Sequence, residues 1–150
     1  MDERFLSDGH ALAAHLARPP GRQSGPPPAV VLCHGFPSTG SAAAAAATMP
    51  ALADRIATEM GWAARSFAYR GCGTSEGQFS LRGWLEDIRH AVDHIDRTVQ
   101  PLGIWLVGFG TGGALAVCAA AGDRRIRGVA ALGAPGDFDD WASHPRRLLQ

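Results

Sequence analysis

The chain has 150 residues, 46% of them apolar and 19% charged, and its 14 basic and 14 acidic side chains leave a formal net charge of zero. This length suits one domain and rules out two independent cores, and the composition rules out a disordered chain. The neutral balance, with every basic residue an Arg, excludes the basic footprint of a nucleic-acid binder and a polybasic membrane patch.

In chain order, Phe5–Leu16 carries the turn pair Asp8-Gly9 between two partly alternating stretches, which predicts a hairpin of two antiparallel edge strands. The Pro- and Gly-rich run over 19–28 cannot donate a regular set of backbone hydrogen bonds and reads as a surface loop within a single domain. Ala29–Cys33 is a continuous apolar run of the kind buried on both faces of a parallel sheet. A helix is expected over Ala42–Met60, with the alanines at 42–47 packing closely against the sheet, followed by a strand over Ala64–Tyr69. Ser80 then precedes a helix whose apolar positions Leu81, Trp84, Leu85, Ile88, Val92 and Ile95 recur at spacings of three and four, with Glu86, Asp87, Arg89 and Asp93 between them. Ile104–Val107 reads as a third buried strand, Gly108–Gly113 as a tight turn, Ala114–Ala121 as a small-residue helix ended by Gly122, and Val129–Leu132 as a fourth strand. The tail from Phe138 to Trp141 reads as the start of a further helix. Strands alternating with helices make the fold class α/β, with right-handed crossovers and a mostly parallel sheet covered by helices on both faces.

Cys33, Cys72 and Cys118 include no CxxC pair, so neither a disulfide framework nor a zinc site is expected. Asp2, Glu3 and Arg4 stand where a leader would be basic and then apolar, and no apolar run reaches membrane-spanning length. The expectation is a soluble cytoplasmic protein without cofactors.

Three loops follow the C-terminal ends of successive parallel strands, the edge at which open α/β sheets place ligands: His34-Gly-Phe36, Arg70–Gly77 and Gly108–Gly113. The last has the outline of the strand–turn–helix nucleophile elbow, G-x-S-x-G, with Gly110 in place of Ser and the minimal flanking residues Gly108 and Gly112. From Phe5 to Asp137 the sequence resembles the α/β-hydrolase superfamily, in its branch of serine aminopeptidase-like and dipeptidyl-peptidase-like esterases and peptidases. The motifs are Asp8-Gly9, Leu32-Cys-His-Gly-Phe-Pro37, Tyr69-Arg-Gly-Cys-Gly-Thr-Ser75, the helix with Trp84 and Asp87, and the elbow. The resemblance implies the N-terminal portion of that fold, truncated after the sixth strand, with an open sheet edge that invites self-association. It further implies that the backbone N–H groups of Phe36 and Thr111 form an oxyanion hole, and that His34 and Gly35 are structural supports of the site.

The departures concern chemistry. Gly110 has no side chain to attack a substrate, and the family's acid and histidine follow later strands than this chain contains. Asp137, Asp139 and Asp140 stand near an alternative place for the acid, although a helix N-terminus accounts for them. His90 and His94 have the i, i+4 spacing of a metal pair but no third ligand, and read as a solvated helix face; no metal is expected. Ser38 and Thr111 lack a visible base as substitute nucleophiles. The expectation is therefore an uncertain enzyme of ester or amide hydrolase ancestry that retains small-molecule binding for carbonyls or carboxylates. The competing reading takes Gly108–Gly113 as the G-x-G-x-x-G of a Rossmann-type dinucleotide-binding module, which requires an acidic residue where this sequence has Gly133-Ala-Pro135.

Overall fold

The computed structural model describes residues 1–36, 42–134 and 136, with backbone alone at 42–47. The strands are β1 (Asp2–Ser7), β2 (His10–Ala17), β3 (Ala29–Cys33), β4 (Ala63–Phe67), β5 (Ile104–Phe109) and β6 (Ile126–Leu132), and the helices are α1 (Ala42–Met60), α2 (Leu81–Val99) and α3 (Thr111–Ala120). They form one sheet of order β1-β2-β4-β3-β5-β6, in which β4, β3, β5 and β6 run parallel and the β1–β2 hairpin is antiparallel.

The hairpin turns at Asp8 and Gly9, both at positive φ, the combination that matches the twist of the strands on either side. Of the two hairpin strands β1 alone lies at an edge: β2 pairs with β1 on one side and with β4 on the other. The 19–28 segment is solvent-exposed over most of its length, as a run rich in Pro requires.

All five residues of β3 are buried, because helices cover both of its faces. Val31 faces the core built by α2 and α3 with Leu12, Phe67 and Leu106, while Val30 and Leu32 face Ala53 and Ala57 of α1. Helix α2 begins at Ser80, whose hydroxyl accepts from the Gly83 amide at 2.9 Å, and ends at Gln100 in the left-handed region.

Several boundaries differ from the sequence reading. The β4 strand stops at Phe67, since the next residues turn away into the loop that ends at Gly77. Helix α3 starts at Thr111, immediately after the strained Gly110, and β6 extends back to Ile126 with a register irregularity at Ile104/Trp105. Asp87, read as lying between the core positions of α2, is fully buried. The packing of the alanines at 42–47 and the tail from Asp137 onward lie outside the described side chains and residues.

Candidate active site

The turn between β5 and α3 and the loop after β3 lie against each other at backbone distance, and three glycines make this possible. A Cβ on Gly112 would stand 2.2 Å from the His34 carbonyl oxygen, one on Gly35 2.7 Å from that of Phe109, and one on Gly108 2.4 Å from the Gly113 Cα. Gly110 is different in kind. It sits at φ 56, ψ −126, a conformation that side-chain-bearing residues rarely adopt, yet a Cβ there would meet nothing within 4 Å. Its amide donates to the Leu132 carbonyl at 2.8 Å and its carbonyl accepts from the Gly113 amide at 3.0 Å, so neighbours on both sides hold the strained turn.

Thr111 is the first residue of α3, and its amide therefore has no carbonyl within the helix and lies at the positive end of the helix dipole. The loop His34–Phe36 runs beside it. The Phe36 ring packs 4.8 Å from Trp84 and 5.3 Å from Phe79, which fixes the course of the backbone at that position.

His34 is held as a structural group. Its Nδ1 lies 2.6 Å from the Gly35 carbonyl and its Nε2 accepts from the Tyr69 amide at 3.3 Å, an arrangement that requires the neutral ring with hydrogen on Nδ1. Burial lowers its pKa, in keeping with that neutral state. Tyr69 stacks flat on Trp84 at 4.2 Å and meets the His34 ring edge-on at 4.5 Å. The neighbouring Cys33 is no substitute nucleophile, because burial pushes its thiol up to about 12, and Cys72 is raised to about 11 for the same reason. Thr111 is buried and its hydroxyl has no base bonded to it among the described residues, while Ser38, Asp137, Asp139 and Asp140 lie outside them.

The loop after β4 is anchored by a group that the helical pattern misassigned. The buried Asp87 carboxylate accepts from the Arg70 amide at 2.8 Å, from Arg70 Nε at 3.0 Å and Nη2 at 2.8 Å, and from Ser7 Oγ at 2.7 Å. Arg70 also reaches Asp8 at 2.9 Å and holds that carboxyl below the usual range, while Trp84 Nε1 donates to the Arg70 carbonyl at 3.1 Å. These bonds join the hairpin turn, the Arg70 loop and α2 behind the site.

His90 and His94 do not act as a pair. The Nδ1 of His90 lies 2.8 Å from the Glu86 carbonyl and 3.1 Å from Ser7 Oγ, whereas His94 contacts the Arg65 guanidinium and packs 5.6 Å from the Phe5 ring. Both are half-buried, so the solvated face expected from their spacing is corrected: each ring is committed to a separate part of the hairpin packing. Arg65 itself, inside β4, is fully buried against Glu3.

Residues 28–150 match the family described as the alpha/beta hydrolase fold. No curated protein matches the sequence significantly. Among solved structures, an alpha-beta serine hydrolase homologue from Coxiella burnetii is 20% identical, with a TM-score of 0.72 over 95% of this chain and 67% of its own. A putative alpha/beta hydrolase from Agrobacterium tumefaciens is 17% identical, with a TM-score of 0.78 over 96% of this chain and 65% of its own. Est1E from Butyrivibrio proteoclasticus, solved with ferulic acid bound, is 25% identical, with a TM-score of 0.67 over 85% of this chain and 50% of its own. The chain thus spans half to two-thirds of the length of these structures. With the strand order, the backbone-tight β5–α3 turn and the sequence match in agreement, the chain belongs to the alpha/beta hydrolase fold family.

Proposed function

We propose that the β5–α3 turn is a nucleophile elbow whose nucleophile has been replaced by Gly110, and that it binds the carbonyl or carboxylate oxygen of a small molecule without ordinary serine-hydrolase catalysis. The observation that carries this reading is the backbone of Gly110, which keeps the strained geometry of a turn that presents a side chain while having none to present. The N–H groups of Phe36 and Thr111 are the oxyanion donors, each contributing about 3 kcal/mol where negative charge develops on the bound oxygen. No acyl-enzyme forms at Gly110, because covalent catalysis needs a side-chain nucleophile. Ferulic acid, found on Est1E, is itself a carboxylic acid, the ligand class proposed here.

The Rossmann-type alternative is not retained. It requires an acid at the end of the strand after the glycine-rich turn, and β6 ends in Ala131 and Leu132, with Gly133 next in the chain.

The test has two arms. A fluorophosphonate probe should leave the turn unlabelled, and millimolar acetate should shift the Phe36 and Thr111 amide signals in an NMR spectrum. Labelling at the turn, or unchanged amides, would overturn the proposal. Ester turnover that disappears in Thr111→Pro, which removes one donor at a position where a helix tolerates proline, would show hydrolysis by another route.

A further inference from the structure

At the C-terminal edge of the sheet, the loop after β3 and the segment leading into α2 meet through aromatic rings. The Phe36 ring lies 5.3 Å from that of Phe79 at 58°, and both pack on the fully buried Trp84, at 4.8 Å and 5.0 Å. The cluster is thus anchored in the core and reaches the surface at Phe79. That side chain is 41% exposed, while every other aromatic side chain among the described residues is buried or half-buried.

Phe79 is held from its backbone as well. A Cβ on Gly71 would stand 2.9 Å from the Phe79 nitrogen, so the two loops touch main chain to main chain, and the next residue, Ser80, caps α2. A ring fixed in this way is presented to a ligand without the entropy loss of ordering a mobile side chain. Isolated exposed apolar residues are ordinary, and it is the contact with Phe36 that singles this one out. The Phe36 amide is one of the two donors proposed for the ligand oxygen, and its own ring is the one that touches Phe79.

We infer that Phe79 is a specificity-determining residue of this site and that the small molecule bound there is an aryl carboxylate, its oxygen on the Phe36 and Thr111 amides and its ring set against Phe79. The inference rests on the elbow reading for the oxygen and adds the chemistry of the rest of the ligand. Tilted and offset contacts between aromatic rings are favoured beyond the apolar area they bury, by a factor on the order of five in affinity. A saturated ring of the same size gains the area and not that factor.

Titration of the chain with acetate, cyclohexanecarboxylate and benzoate, followed by NMR, separates the two readings. All three acids should shift the Phe36 and Thr111 amides, and benzoate should bind about fivefold more tightly than cyclohexanecarboxylate. Nuclear Overhauser contacts should join the benzoate ring protons to those of Phe79. In Phe79→Leu, which keeps apolar bulk without a ring, the ratio of the two affinities should fall to about one. A purely structural loss would weaken both acids alike and leave that ratio in place, and Phe79→Tyr should preserve it. Should Phe79→Leu lose the dispersed spectrum of a folded chain, the ratio and the contacts in the parent chain carry the test. If no acid moves the two amides, the elbow reading fails and this inference with it. If acetate moves them while benzoate shows no preference over cyclohexanecarboxylate, no contact with Phe79, or an unchanged ratio in Phe79→Leu, this inference alone is overturned.

Discussion

Asp87 is the side chain on which the upper half of the site depends, because it satisfies the Arg70 amide and guanidinium and the Ser7 hydroxyl from inside the core. Asp87→Ala would leave a guanidinium facing apolar surroundings without its main counter-charge. Loss of one partner from a buried pair costs about 3–5 kcal/mol, and urea unfolding should show a midpoint lowered to match. The glycines of the turn separate into two kinds by the same reasoning. Gly112→Ala places a methyl group 2.2 Å from a backbone oxygen that cannot move without shifting β3, so a loss of about 3 kcal/mol or failure to fold is expected. Gly110→Ser meets open space and incurs only the positive-φ strain, about 1 kcal/mol. Thermal unfolding of the two variants should rank them in that order. Gly110→Ser should also show no ester turnover, since no base among the described residues is placed to activate the new hydroxyl.

Among the elements, α2 carries the clearest pH signature. Burial, and then the charges of Arg65 and Arg97, lower the His94 pKa to about 4. The unfolded chain takes up this proton near the ordinary histidine value of 6.5, so it binds more protons than the native state between those two values. The stability contributed by the neutral ring is therefore complete above about 6.5 and is lost as pH falls through that window. For a half-exposed ring screened by solvent the loss is on the order of 1 kcal/mol. His94→Gln, titrated by urea unfolding beside the parent chain, should show a flatter acid limb over the same interval. An identical slope in the two proteins would contradict the placement of His94 against Arg65.

For the whole molecule, the consequential feature is asymmetry across the sheet. At one end β1 is turned out to solvent with charges at Asp2 and Arg4, whereas at the other β6 has a strand on one side only among the described residues and exposes Ala130, Ala131 and Leu132. Beyond Arg127, this edge strand lacks the charges and prolines that normally discourage pairing. Sedimentation velocity is expected to show concentration-dependent self-association of the chain, reduced by Ala130→Lys. A single monomeric species at every concentration would count against an adhesive edge.

The elements whose signals are local were legible in the residue order. Asp8-Gly9 specifies its own two-residue turn, Ala29–Cys33 is apolar enough to require cover on both faces, and the three- and four-residue spacing in α2 can describe only a helix. The glycine positions of the turn were legible too, because the need for a bare Cα is written in the residue type. What the sequence could not express is which polar side chains find partners across the fold. Asp87 and Arg65 look like solvated charges in a linear pattern, and only the meeting of the hairpin with β4 and α2 buries them against Arg70, Ser7 and Glu3. His90 and His94 share a helix face by spacing, yet the tertiary structure assigns them to different neighbours. Backbone periodicity is set within a few residues of chain, whereas the burial of a charge depends on groups 60 or 80 residues away, at 62 for Arg65 with Glu3 and 80 for Ser7 with Asp87.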